Sequence, residues 1–134
     1  MATVRIYLVE DSSITRQNLA EALGESAAIE IAGCADDEAT AIDWLRHAGH
    51  TCDLVIVDIF LKSGSGLGVL KAMADGSRVP GCIVLSNHST PEMRAKCLEL
   101  GAIEVFDKSN ELDEMLAWIK RFSKIGRAAA ASRS

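Results

Sequence analysis

Five short apolar runs, each almost continuous in hydrophobicity, recur along the chain: VRIYLV (4–9), IEIAGC (29–34), DLVIVD (53–58), GCIVLS (81–86) and AIEVF (102–106). A strand with one wet face alternates apolar and polar residues. Unbroken runs rich in β-branched side chains fit strands covered on both faces, as in a parallel sheet. Between them the pattern switches to helical spacing. Leu112, Met115, Leu116, Ile119 and Phe122 form one stripe of a last helix, with Ser109 or Asn110 placed to cap it and Glu111, Asp113 and Glu114 in its first turn. The helix before it opens at Thr90-Pro91-Glu92, carries Met93, Cys97 and Leu100 inward, and stops at Gly101. Earlier helices are predicted over about 13–23, 38–47 and 67–74. Five successive βα units with right-handed crossovers give a doubly wound α/β sandwich, five parallel strands flanked by five helices.

The 134 residues fit one domain, predicted over 1–122, and at 49% apolar and 25% charged residues the chain buries a core without disulfides or metal. Cys34, Cys52, Cys82 and Cys97 lack C-x-x-C spacing and a nearby histidine pair, so they are expected as buried or half-buried thiols in a reducing compartment. Five of the 14 basic residues fall in 120–134 without an acid, leaving 9 against 19 acids in the rest. An acidic body argues against direct nucleic-acid binding, and the basic Ala-rich stretch 123–134 is expected to be a flexible tail. The first apolar run is too short for a signal peptide and no stretch approaches a membrane span, so a cytoplasmic location without membrane contact is expected.

In open α/β sheets, ligands bind beyond the carboxyl ends of the strands. Here those ends carry Glu10 and Asp11 after the first run, Asp58 closing the third, Ser86 and Asn87 closing the fourth, and Lys108 beyond the fifth. Three clustered carboxylates repel unless a cation intervenes, and oxygen-only donors with room for water suit Mg²⁺. Asp58 then serves as metal ligand and as a nucleophile forming an aspartyl phosphate, with the Ser86 hydroxyl and the Lys108 ammonium as donors to the phosphoryl oxygens. Taken singly, Glu10 and Asp11 also fit helix caps and Ser86 an ordinary strand-end hydroxyl. The argument lies in their joint placement at four strand ends.

VED at 9–11, LVIVDIFLKSGSGLGVL at 54–70, VLSN at 84–87 and GAIEVFDKS at 101–109 together resemble the receiver domain of two-component response regulators, over about residues 4–122. The resemblance implies a flavodoxin-like sheet of order 2-1-3-4-5. It implies Asp58 as phosphoacceptor, Glu10 and Asp11 as the acidic Mg²⁺ pocket, the Phe60 backbone carbonyl completing the metal shell, Ser86 as the switch hydroxyl and Lys108 as the family lysine. A sensor histidine kinase or histidine phosphotransfer protein would phosphorylate Asp58, and the region around the fourth helix, fifth strand and fifth helix would engage a downstream protein. With only 12 residues beyond Phe122 and no recognisable output domain among them, a standalone regulator is expected, catalysing no more than its own phosphorylation and dephosphorylation. The chain departs from the family pattern at several points. Val105 occupies a position commonly Tyr or Phe, Ser109 one commonly Pro, Lys62 one where Pro is frequent, and Asn87 one where Ala or Gly is frequent. Phe60 and His88 are expected to flank the phosphoryl group and set its hydrolysis rate.

Other classes fit less well. A flavin carrier of this fold wants a hydroxyl- and glycine-rich phosphate loop after the first strand, where Glu10 and Asp11 would repel phosphate. A phosphatase using an aspartyl phosphate commonly has an acid two residues beyond the nucleophile, and Phe60 stands there. GSGLG at 64–68 lacks the GK[ST] ending of a nucleotide loop. A phosphorylation-independent interaction module of the same fold remains the alternative, hinted at by Val105.

Overall fold

A computed structural model describes residues 3–25, 28–47, 49, 51–75, 81–87 and 90–122. The expected tail at 123–134, His50 and His88 lie outside the described residues. Strands and helices alternate throughout: β1 (Val4–Val9), α1 (Ser13–Gly24), β2 (Ile29–Ala35), α2 (Glu38–Arg46), β3 (Leu54–Val57), α3 (Gly66–Ala74), β4 (Cys82–Ser86), α4 (Pro91–Glu99), β5 (Glu104–Asp107) and α5 (Leu112–Arg121). The five strands form one sheet of order β2-β1-β3-β4-β5, every neighbour parallel. This is the doubly wound architecture that the unbroken apolar runs require.

Side-chain alternation along each strand divides the interior into two cores. Tyr7, Val9, Val55, Val57, Val84 and Val105 face one way, toward Ala41 of α2, Val69 and Leu70 of α3 and Cys97 of α4. Ile6, Leu8, Leu54, Ile56, Ile83, Leu85 and Phe106 face the other, toward Leu19 and Leu23 of α1 and Met115 and Ile119 of α5. Neighbouring Val105 and Phe106 therefore serve opposite cores. Trp44 packs at the flank of the first, its ring stacked on Tyr7 at 4.0 Å between centroids, and Trp118 packs beside the second, stacked on Phe122.

Four helices open on side-chain caps that accept a backbone N–H two or three residues on: Ser12 from Thr15, Asp37 from Thr40, Ser65 from Leu67 and Thr90 from Met93. The fifth departs from expectation. The residue flanking α5 is Glu111, with no side-chain cap bond, in place of Ser109 or Asn110. Asp107 Oδ1 accepts both the Ser109 backbone N–H and its hydroxyl, so that side chain is already committed to the β5–α5 turn. Cys34 is also a correction. It is exposed, whereas Cys52, Cys82 and Cys97 are buried, because β2 is one of the sheet's two edge strands and only part of its length is covered. None of the four is in a disulfide. Gly101, where α4 ends, has φ +110°, a left-handed conformation that side chains disfavour. No helix among the described residues is long and apolar enough to cross a membrane.

Candidate functional site

Parallel pairing brings the strand ends together. The Glu10 N–H donates to the Ala35 carbonyl at 2.9 Å and the Asp58 N–H to the Val9 carbonyl at 2.9 Å, so both carboxylates emerge at the carboxyl edge just as their strands end. One strand further along, Ser86 stands opposite Asp107 in the β4–β5 register, and its carbonyl accepts the Lys108 N–H at 3.1 Å. Burial singles out the same residues. Among the described residues the buried polar or charged side chains are Glu10, Asp58 and Ser86. Burying such groups costs free energy unless they are paired, so their convergence on one edge marks a site.

Lys108 supplies the pairing. Its Nζ donates to Asp58 Oδ2 at 2.8 Å and to Glu10 Oε1, with only 12% of the lysine side chain exposed. The other carboxylate oxygens are also engaged: Asp58 Oδ1 accepts the Phe60 N–H at 3.1 Å and Glu10 Oε2 the Ser12 N–H at 3.1 Å. Burial pushes the Glu10 carboxyl above its usual range, against the lowering effect of Lys108 and the Ser12 N–H. Burial alone would lower the Lys108 ammonium, but its hydrogen bonds to Asp58 and Glu10 outweigh that and raise it. The lysine is thus held charged between two acids.

Asp11, partly buried, joins the group: carboxylate oxygens of Glu10, Asp11 and Asp58 all lie within 4.8 Å of one another. Three hard oxygen donors at this spacing suit a divalent cation such as Mg²⁺, which takes a few carboxylates and keeps several waters. The Ser86 hydroxyl is wholly buried with no hydrogen-bond partner among the described residues. Phe60 reaches the site through its backbone N–H, while its ring is half exposed. Asn87 is exposed and lines, with Lys108, Thr15, Asn18, Leu19, Leu85 and Leu112, a cavity of about 240 Å³. Val105 is buried away from the site in the core beneath α3 and α4. Lys62 is exposed and 3.8 Å from Asp36.

Three residues close to this edge carry at most a faint sequence signal. Arg16 donates to the Glu10 carbonyl at 2.8 Å. A cation in a helix's first turn opposes the macrodipole and would have been the clue. Arg94 of α4 donates to the Val105 carbonyl at 2.8 Å and to Glu111 Oε1 at 2.6 Å. Glu38, at the start of α2, accepts the Ser65 N–H at 2.8 Å in the β3–α3 loop.

Comparison with known proteins points the same way. A family model described as response regulator receiver domain matches residues 6–120. A protein-glutamate methylesterase/protein-glutamine glutaminase of Myxococcus xanthus is 28% identical over 113 residues, 84% of this chain but 32% of that protein. The chain spans about a third of the length of the first such relatives it matches. The response regulator domain of Thermotoga maritima CheB superimposes with a TM-score of 0.80 at 19% identity, covering 92% of this chain and 98% of that one. The Mn²⁺-bound form of response regulator Rcp1 gives 0.73 at 21% identity, covering 91% and 93%. At these identities the likeness to the two structures is one of fold.

Proposed function

Because the chain belongs to the response regulator receiver domain family, we propose that it is a signalling switch whose Asp58 accepts a phosphoryl group from the phosphohistidine of a sensor histidine kinase or histidine phosphotransfer protein. The observation that carries this reading is the convergence of the buried Asp58 and Glu10 on the Lys108 ammonium at one sheet edge, with the buried Ser86 ending β4 along the same edge. A carboxylate oxygen of Asp58 attacks phosphorus, a P–O bond forms as the P–N bond breaks, and the departing imidazole keeps the bonding pair and takes a proton. Glu10, Asp11 and Asp58, with the Phe60 carbonyl, would hold Mg²⁺, which when bound draws charge from the phosphoryl oxygens. Lys108 offers an ammonium to the same oxygens and Ser86 a hydroxyl, a donor that has no partner among the described residues. Phe60, with His88, is assigned the control of phosphoryl lifetime.

The output surface is assigned to the α4–β5–α5 face, where Leu98 and Ile103 stand 49% and 41% exposed. The partner is a protein: the acidic body disfavours nucleic acid. Beyond turning over its own aspartyl phosphate, no catalysis is assigned to the chain. Val105 favours one second reading, a phosphorylation-independent interaction module, since the ring that commonly swings at this position is missing.

Acetyl phosphate with Mg²⁺ is expected to add one phosphoryl group to the wild type and none to Asp58→Asn, by intact mass. Equal labelling of the two would reject Asp58. Partner capture that is identical in both phosphorylation states would favour the second reading.

A further inference from the structure

The β3–α3 loop returns to the site it leaves. Phe60 and Ser65 form an isolated antiparallel bridge, the Ser65 hydroxyl donates to the Ile59 carbonyl at 3.4 Å, and the Gly66 N–H donates to the same carbonyl at 2.9 Å. Gly66 lies so close to the Asp58 carbonyl that a Cβ there would overlap it. The loop therefore shapes the backbone at Ile59 and Phe60, and the Phe60 N–H in turn holds Asp58 Oδ1. What fixes the loop's far end is α2. Glu38 Oε1 accepts the Ser65 N–H at 2.8 Å, the Glu38 N–H donates to the Ser63 carbonyl at 3.2 Å, and Lys62 lies beside Asp36.

Glycines make room for this contact. A Cβ on Gly68 would overlap the Glu38 carboxylate, and one on Gly64 would overlap the Glu38 Cβ. Gly64 also has φ +82°, where any side chain is strained. Gly68 is a helical residue of α3, a position where glycine sacrifices helix stability relative to alanine. Glycine at that position leaves the space that the Glu38 carboxylate occupies.

We infer that Glu38 is a positioning residue for the phosphoryl site: by holding Ser65 it sets the Ile59–Phe60 backbone that presents Asp58 and, in the reading above on which this inference rests, the Phe60 carbonyl to the divalent cation. Glu38 touches neither the acids nor the phosphoryl group. It acts through the loop, as supporting hydrogen bonds act behind metal ligands.

The test uses the full chain with four variants: Glu38→Ala, Glu38→Gln, Gly68→Ala and the Glu38→Ala/Gly68→Ala pair. Mg²⁺ is titrated while following the amide NMR signals of Phe60 and Ser65, and the acetyl phosphate labelling rate is measured in parallel. Glu38→Ala should raise the half-saturating Mg²⁺ concentration on the order of ten-fold, as loss of a supporting hydrogen bond behind a metal site does. Labelling at subsaturating Mg²⁺ should slow to match. Glu38→Gln keeps an oxygen acceptor and should restore most of the wild-type response. Gly68→Ala should mimic Glu38→Ala by displacing the carboxylate, yet add nothing once residue 38 is alanine. Its better helix propensity keeps that double variant folded. Wild-type Mg²⁺ response in Glu38→Ala, or full additivity of the two alanines, overturns the inference. A wild type that binds Mg²⁺ but takes no phosphoryl group overturns the phosphoacceptor reading instead, and the NMR arm still reports on Glu38.

Discussion

At the β1–β3 half of the carboxyl edge, both oxygens of Glu10 and both of Asp58 accept hydrogen bonds, from Lys108, Ser12 and Phe60. At the β4 half, the Ser86 hydroxyl is equally buried and bonds to nothing among the described residues, and β5 presents Val105 where an aromatic ring is common in the family. One half is preorganised. The other holds a donor in reserve. A preorganised carboxylate site costs little reorganisation when a cation and a phosphoryl group arrive. A buried hydroxyl without a partner is a local penalty that a new acceptor would relieve. The contrast assigns the ground-state stability of the edge to Lys108 and, under the proposed function, the response to Ser86.

Lys108→Ala is the substitution that breaks the preorganised half most severely. It leaves two buried carboxylates side by side without their cation, a loss expected to cost about 3 kcal/mol of folding stability near neutral pH. The pH dependence follows from Glu10, whose carboxyl in the folded state already lies above its usual 4.5 because of burial. A raised folded-state value means that this group's contribution to stability is present below 4.5 and lost as pH rises through the folded value. Removing Lys108 raises Glu10 further, so the variant's deficit should shrink between pH 7 and pH 5. Urea midpoints at both pH values test this, and an equal deficit at each would mean that Lys108 does not neutralise the acids.

Ser86→Ala probes the other half and carries the opposite sign. Deleting a buried hydroxyl that makes no hydrogen bond removes an unmet desolvation cost, so stability should stay level or rise by about 1 kcal/mol. The spectral change on phosphorylation should shrink in the same variant. A stability loss larger than about 1 kcal/mol would show that the hydroxyl is bonded in the folded protein, and the contrast between the halves would fail.

The fold was legible because a parallel sheet leaves its signature in the apolar runs themselves, and the site because this topology delivers strand-end residues to one edge. Glu10, Asp58, Ser86 and Lys108 could be read only jointly, from their places at or just beyond the ends of four runs. Glu38 and Arg94 could not. Their meaning lies in tertiary contacts, 27 residues along the chain to Ser65 for one and 17 to Glu111 for the other, which no local pattern records. The α5 start misled for a related reason: Ser109 looks like a cap, but Asp107 binds it first in the turn. Cys34 reads like Cys82 because an edge strand and a central strand can carry similar apolar runs.

The smallest expected effect is the one that bears on how the responsive half is held. Arg94 ties α4 to β5 through the Val105 carbonyl and to the start of α5 through Glu111, whose Oε1 also accepts the Asp107 N–H at 2.8 Å. The Arg94 hydrogen bond, and then the Asp107 N–H, hold the Glu111 carboxyl below its usual range. With the two side chains 37% and 26% exposed, solvent screens the pair, and Arg94→Ala should cost only about 0.5–1 kcal/mol. Because the folded-state value is lowered, the stabilisation is present above 4.5 and disappears as pH falls through the lower folded value, so wild type and variant should converge in acid. In the proposed switch, a clamp this weak is the part expected to yield when Ser86 gains an acceptor, and the lysine-bound acids the part expected to hold. If urea midpoints for Arg94→Ala instead showed a loss as large as that of Lys108→Ala, the α4–β5 side would be as firmly built as the acid cluster, and the response would have to start elsewhere.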